Sequence, residues 1–230
     1  MAASVDVVIA GESVQLLGGR ALYRPLKYQL LIADLHLGKG DVFRRAGIAL
    51  PRGGTSHDLA RLGALIEASG ARSVLVLGDV LHGPANDTHW RHSYEDWRAR
   101  HAGVEIGALL GNHDRALTRA GLAITLHGTG VDDGPFALRH DCDPVPGLHV
   151  ICGHLHPVVS LPGILRKRWP VFWLRRDITV LPAFSAFTGG FVVDVGEGER
   201  AGVCVEDGIA MIAGPDAGHA PPRRFRSRRA

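Results

Sequence analysis

Five short apolar runs dominate the pattern of the chain: Tyr28 to Ala33, Ser73 to Leu77, Val104 to Leu110, Phe136 to Arg139 and Leu148 to Cys152. They are rich in Val, Ile and Leu and bounded by glycine or polar residues, as buried strands are. Between them the period changes to that of a helix. Leu59, Leu62, Leu65 and Ile66 share one face of a helix predicted over His57 to Ser69 and stopped at Gly70. Trp90, Tyr94 and Trp97 do the same over Thr88 to Arg100, where a core-facing stripe explains them best. An opening hairpin is predicted from about Val5 to Tyr23, with Gly18-Gly19 at its turn. After the fifth run, consecutive strands are expected at Ile178 to Leu181, Gly190 to Val195, Ala201 to Val205 and Ile209 to Ile212, with no helical pattern between them. Helices packed outside two facing mixed sheets, an α/β/β/α sandwich, account for this order.

The polar residues that follow the runs carry the chemistry. Asp34-Leu35-His36, Gly78-Asp79, Gly111-Asn112-His113-Asp114, His140 and Gly153-His154-Leu155-His156 each stand just after a strand-like run. In open α/β sheets, ligands bind in the crevice beyond the carboxyl ends of the strands, so residues far apart in sequence can converge there. Asp34 and His36 form an i, i+2 pair whose side chains point the same way, as do His154 and His156. Asp34, His36, Asp79, Asn112, His140, His154 and His156 supply seven oxygen and nitrogen donors, the complement of a two-metal site. Such a site provides both a hydroxide nucleophile and cations to absorb charge on a phosphoryl group. Asp79, alone after Gly78, is suited to bridge the ions. Carboxylate, amide oxygen and imidazole together favour manganese, iron or zinc.

These motifs resemble those of the calcineurin-like metallophosphoesterases. Asp34-Leu35-His36-Leu37-Gly38-Lys39, Phe43-Arg44-Arg45-Ala46-Gly47-Ile48, Gly153-His154-Leu155-His156-Pro157 and Leu181-Pro182-Ala183-Phe184-Ser185-Ala186-Phe187-Thr188-Gly189-Gly190 narrow the resemblance to one branch, the bacterial ligase-associated DNA damage response endonucleases (PdeM-type). It covers about residues 5 to 212. Ser185 departs from the pattern, standing where the family more often has Gly. The resemblance implies the four-layer sandwich of that family. It also implies a first metal on Asp34, His36, Asp79 and His156, and a second on Asp79, Asn112, His140 and His154. His113 would be the general acid, with Asp114 orienting that imidazole or its loop. Relatives of this kind are manganese-dependent phosphodiesterases that cut single-stranded DNA. They are commonly encoded beside a DNA ligase, a helicase and an exonuclease, which implies a role in DNA repair.

Other residues carry competing readings. His127 rivals His140, because Leu122 to Leu126 also looks like a strand ending in His before Gly. The segments 122 to 127 and 135 to 140 read as a hairpin across Asp132-Asp133-Gly134, only one end of which can face the crevice, and His140 is preferred. Lys39, Arg115 and His82 are candidate substrate contacts. For Arg44 and Arg45 a solvated helix face is an equally good account. His57, His89, His92, His101, His149 and His219 read as ordinary surface or core residues. The run Arg166 to Arg176 interleaves cations with Trp169 and Trp173, a composition suited to stacking bases, although packing of Val171 to Leu174 inside the second sheet explains it better.

The 230 residues, 46% of them hydrophobic, suffice for one sizeable core. No apolar run reaches the roughly 18 residues of a membrane span, and the first residues lack a signal-peptide pattern, so a cytoplasmic protein is expected. Cys142, Cys152 and Cys204 show no paired metal spacing and are expected to be reduced thiols. Two parts are expected: a metallophosphoesterase domain over 1–214 and a basic, disordered tail over 215–230. The tail holds five arginines between 221 and 230, and without them the formal charge falls from +3 to −2 (3 − 5 = −2). The metal motifs do not choose between a DNA endonuclease and a small-molecule phosphodiesterase or nucleotide pyrophosphatase. A scaffold with this fold would have no need of the full ligand set together with His113.

Overall fold

The computed structural model describes residues 3–49, 53–82, 88–160, 167–186 and 188–215. The expected tail after 215, with His219, and Arg166 of the cation-aromatic run lie outside these residues. One sheet contains β1 (Ser4–Ile9), β2 (Glu12–Leu17), β3 (Ala21–Arg24), β4 (Gln29–Ile32), β5 (Ser73–Leu77), β6 (Glu105–Leu109) and β7 (Thr125–Leu126), in that spatial order. Its first four strands run antiparallel to their neighbours, while β4 to β7 are parallel. The crossovers from β4 to β5 and from β5 to β6 carry α1 (Lys39–Arg45), α2 (Gly54–Ser69) and α3 (Thr88–Arg100).

The second sheet contains β8 (Gly130–Asp133), β9 (Phe136–Arg139), β10 (His149–Cys152), β11 (Pro157–Ser160), β12 (Arg168–Leu174), β13 (Ile178–Val180), β14 (Phe191–Val192), β15 (Arg200–Val205) and β16 (Gly208–Ala213). β9, β10 and β13 are mutually parallel, and β12 pairs antiparallel with β11, β13 and β15 along its length.

The core follows from the two-residue alternation along these strands. Val14, Leu16, Leu31, Leu75, Leu77 and Leu109 of the first sheet meet Phe136, Leu138, Ile151, Phe172 and Leu174 of the second in one buried layer. The opposite face of the first sheet, through Leu30, Ile32, Val74 and Val76, packs on Leu59, Leu62, Leu65 and Ile66 of α2 and on Trp90, Tyr94 and Trp97 of α3. The outer face of the second sheet buries Ala137, Val150, Cys152, Ile178 and Val180 under Cys142, Val145 and Leu148. The sandwich is therefore the expected one, and among the described residues the loop after β9 covers that last face where a helix was expected.

Three expectations are corrected. The opening segment is three strands, because Ala10 and Gly11 both adopt positive φ and turn the chain well before Gly18. The segment 122–127 is not the hairpin partner of 135–140: β7 extends the first sheet beside β6, and the chain turns at Gly128 (φ 71) to reach the second sheet, where β8 pairs with β9 across Gly134. The expected strand from Gly190 shrinks to Phe191–Val192. Trp169 packs against Val159, Val171 and Val203, and Trp173 donates its indole N–H to Glu199 at 2.8 Å. These packing roles account for both rings. No helix of the described residues is long and apolar enough to cross a membrane.

At the far end from the ligand-bearing loops, the fully buried Arg24 joins the sheets. Its guanidinium donates to Glu12 at 2.8 and 3.0 Å and to Asp133 of β8 at 2.6 Å. Arg24→Ala leaves Glu12 without its cation and Asp133 with Lys27 alone, and breaking such a buried pair costs about 3 kcal/mol. Chemical denaturation should show that loss; a change below about 1 kcal/mol would mean water replaces the guanidinium without penalty.

Candidate metal centre

The seven candidate ligands stand at or just past the carboxyl ends of strands from both sheets: Asp34 and His36 after β4, Asp79 after β5, Asn112 after β6, His140 after β9, and His154 and His156 after β10. Five of them, Asp34, His36, Asp79, His154 and His156, have left-handed backbone, with φ of 55, 47, 51, 67 and 49°. Aspartate and histidine tolerate this region better than most residues, yet each such position is uphill and persists only where its surroundings impose it. Here the imposing contacts are backbone hydrogen bonds between neighbouring loops. The Asp34 N–H donates to Gly78 O (3.2 Å), His36 N–H to Asp79 O (2.9 Å) and Leu37 N–H to Val80 O (2.8 Å), so the loops after β4 and β5 continue side by side beyond the sheet. Each left-handed residue turns its side chain inward while the ladder persists.

Two glycines make the convergence possible by close approach. A Cβ on Gly78, whose φ is +80, would lie 2.3 Å from Nδ1 of His140. One on Gly111 would lie 2.3 Å from both the backbone nitrogen and Oδ1 of Asp79.

The polar atoms face a common space. Asp34 Oδ1 lies 3.4 Å from His156 Nε2 and 4.0 Å from His140 Nδ1, and Asp79 Oδ1 lies 3.7 Å from His140 Nε2. His140 Nε2 is 3.1 Å from His154 Nδ1, which is 3.5 Å from the Asn112 amide. Two donors bound to one ion at about 2.1 Å lie at most about 4.2 Å apart, so the Asp34–His156, Asp79–His140 and His140–His154 separations suit shared coordination. Backbone hydrogen bonds fix orientation: Asp34 Oδ2 accepts the His154 N–H (3.0 Å), and Asp79 Oδ1, besides facing His140, accepts the His113 N–H (3.0 Å). His140 Nδ1 meets the Leu77 carbonyl at 2.9 Å and His156 Nδ1 meets the Gly189 carbonyl at 3.3 Å. A carbonyl holding one ring N–H leaves the other nitrogen as a lone pair, the arrangement of a metal-ligating imidazole.

The decisive observation is what these groups lack. Asp34 Oδ1, both ring nitrogens of His36 and His156 Nε2 are buried with no hydrogen-bond partner. An unpaired buried polar atom is expensive, and Asp34 Oδ1, His156 Nε2 and one ring nitrogen of His36 lie close enough together to fit a single divalent cation. Burial, followed by the nearby Lys39 and the imidazoles of His156, His82 and His113, pushes the pKa of His36 down to about 2, keeping it neutral and able to ligate.

The other candidates fall into place around this cluster. His113 is exposed at the rim, its Nε2 3.9 Å from Asp79 Oδ2. Of the two roles expected for Asp114, the hydrogen bonds among the described residues fit the loop of His113 and not its ring. Asp114 is buried and accepts the Leu81 N–H (3.0 Å) and the Gly111 N–H (2.9 Å), tying the two loops together. Lys39 is buried at the start of α1, where burial lowers its pKa and the charges of Asp34 and Asp79 oppose that shift. The His82 ring lies 5.1 Å from that of His36 and 5.2 Å from that of His113. Arg115 is exposed on the turn beyond His113. His127 stands instead against Gly107 on β6, among residues of another cleft. His101 and His149 have ordinary partners, the Trp97 carbonyl and the Thr179 hydroxyl.

Two groups escaped the sequence reading. Asp141 places Oδ1 3.8 Å from His154 Nδ1 and forms a potential metal-holding group with His140 and His154; its position directly after His140 was the available signal. The second is a clamp on the loop 183–186. Asp58 of α2 accepts the Ala186 N–H, Arg61 pairs with Asp58 and donates to Phe184 O, and Arg20 donates to the carbonyls of Ala183 and Ser185. That loop in turn donates Phe184 N–H to Ala33 O and Ser185 N–H to Asp34 O, bracing the strand end that presents Asp34. Ser185 does not have positive φ, and it hydrogen-bonds Asp58, so the departure from the family's glycine is accommodated.

Fold and site together define a metallophosphoesterase. No protein-family model matches the chain, and no curated protein matches it. Among solved structures, the Pseudomonas putida nuclease MPE aligns with 33% identity and a TM-score of 0.77, over 87% of this chain and 96% of that one. Yfce, a phosphoesterase from E. coli, aligns at 19% identity and a TM-score of 0.45, over 80% and 98% of the two chains. The likeness to the nuclease shows that this chain belongs to its family, within the calcineurin-like metallophosphoesterases. It is a phosphodiester-cleaving hydrolase that uses divalent metal ions.

Metal-free protein should therefore be stabilised by manganese, by about 2.7 kcal/mol when the ion is present at a hundred times its dissociation constant. In Gly78→Ala, whose new methyl displaces His140, most of that stabilisation should vanish. Equal manganese-induced shifts in the unfolding temperature of the two proteins would contradict the assignment.

Proposed function

We infer that the protein is a two-metal endonuclease acting on single-stranded DNA in the cytoplasm, with manganese as its ion and DNA repair as its setting. The observation that carries this reading is the set of partnerless buried donors converging from both sheets into an open crevice, in a chain whose relative over 96% of its length is a nuclease. Asp34, His36, Asp79 and His156 hold one ion, and Asp79, Asn112, His140 and His154 hold the other. Two ions so held supply a water-derived nucleophile and Lewis acidity at the phosphoryl oxygens. A donor set of carboxylate, amide and imidazole without thiolate supports manganese.

The chain's own groups complete the reaction. His113, exposed at the rim, donates a proton to the leaving oxygen. Lys39 lies close enough to both carboxylates to offset charge at a bound phosphate, and His82, whose buried Nδ1 has no partner, can donate to a non-bridging oxygen. Arg115 reaches a flanking phosphate from the turn after His113. A repair role implies cooperation with a ligase, a helicase and an exonuclease.

Hydrolysis of bis-p-nitrophenyl phosphate should stop in chelator and return with manganese, and circular single-stranded DNA should be cut under the same conditions. Full activity in chelator contradicts the metal reading, and intact circles beside rapid diester hydrolysis contradict the nuclease reading. His113→Ala should lower turnover of DNA by about 10²–10⁴-fold, with a smaller loss for the good leaving group p-nitrophenolate. Equal losses on both substrates would assign His113 to positioning.

A further inference from the structure

On the far side of the His156 imidazole from Asp34, the space between the sheets opens into a cleft of about 370 Å³. Its floor is apolar, made by Val158 and Pro170, which pair across β11 and β12, with Ala183 and Cys204. Its charged lining is Arg20, Lys167 and Arg168, with Glu206 as the lone carboxylate among the described lining residues. The cleft and the metal centre share a wall: His156 directs Nε2 toward Asp34 and Nδ1 toward the carbonyl of Gly189, which itself lines the cleft.

The cations are placed in different ways. Arg20 is held by its bonds to the carbonyls of Ala183 and Ser185, and as a guanidinium it stays charged there. Lys167 rests 4.0 Å over the ring of Trp169, which steadies an otherwise flexible ammonium at the cleft mouth. Arg168 is exposed beside it.

We propose that this cleft is the subsite for one nucleotide of the DNA strand, the neighbour of the scissile phosphate. The base and sugar lie on the apolar floor, and the nucleotide's phosphate meets Lys167 and Arg168. An apolar floor under a cationic mouth suits a nucleotide, whereas a bare phosphate would want donors on every side. The volume is at the lower end of ligand clefts and takes one such unit. This inference rests on the nucleic-acid reading of the metal centre.

The experiment compares wild type with Lys167→Ala/Arg168→Ala on a short oligodeoxythymidylate and on bis-p-nitrophenyl phosphate, which has no neighbouring nucleotide. Both side chains are exposed, so folding is not at risk. Relative to its effect on the small diester, the double change should raise KM for the oligonucleotide about tenfold with little change in kcat, and flatten the salt dependence of its binding by about one unit of log–log slope. Lys167→Arg should restore part of the loss. Equal effects on the two substrates, or none on the oligonucleotide, overturn the subsite while leaving the nuclease reading intact. Wild type that hydrolyses the small diester but never the oligonucleotide overturns the nuclease reading, and the subsite with it.

Discussion

Two carboxylates taken out of water with too few partners set the terms for this molecule. Asp34 is fully buried and Asp79 nearly so, and among the described residues the groups facing them are imidazoles and backbone N–H donors, with Lys39 the permanent charge nearby. A buried anion of this kind is tolerable only beside a cation. The left-handed turns, the glycines that yield space and the carbonyls that fix ring tautomers all serve to aim donors at the place where that cation sits. Each left-handed residue costs on the order of 1 kcal/mol, so five together draw on a stability that is itself only about 5–15 kcal/mol for a domain. Binding of metal to the assembled donors offsets that cost.

The scaffold is arranged to hold strand ends still. Parallel β4, β5 and β6 stop at nearly the same level, and their following loops stay bonded to one another through Asp114 and the backbone ladder between 34–37 and 78–82. β9 and β10 do likewise in the second sheet. The Asp58, Arg61 and Arg20 clamp then fastens the loop after β13 to α2 and to the β2–β3 turn, so that the first sheet's ligands are braced from the second sheet. A centre built from both sheets depends on their spacing, which the apolar layer between them sets.

Much of this was legible in sequence because strand and ligand are written consecutively: an apolar run followed by Asp, His or Asn marks a strand end, and Asp34, Asp79 and His140 were all found that way. The choice of His140 over His127 agrees with where the structure puts the two rings, although the hairpin argument behind it misassigned the partner strand. β7 and β8 are short segments separated by Gly128, and periodicity over so few residues does not say to which sheet a strand belongs. The clamp was illegible for a different reason. Asp58 and Arg61 look like a solvated i, i+3 pair on a helix, and Arg20 like a turn residue; only the approach of a loop more than 120 positions away buries them. Of the two roles the resemblance implies for Asp114, orienting the His113 ring or its loop, the backbone bonds to Gly111 and Leu81 fit the loop.

The central claim, that these seven side chains form one centre for two ions with Asp79 shared between them, is tested most directly by calorimetric titration of metal-free protein with manganese. The account predicts two ions bound per wild-type chain and weakened binding of both in Asp79→Asn. One ion per wild-type chain, or an Asp79→Asn protein that still binds two with unchanged affinity, would contradict it.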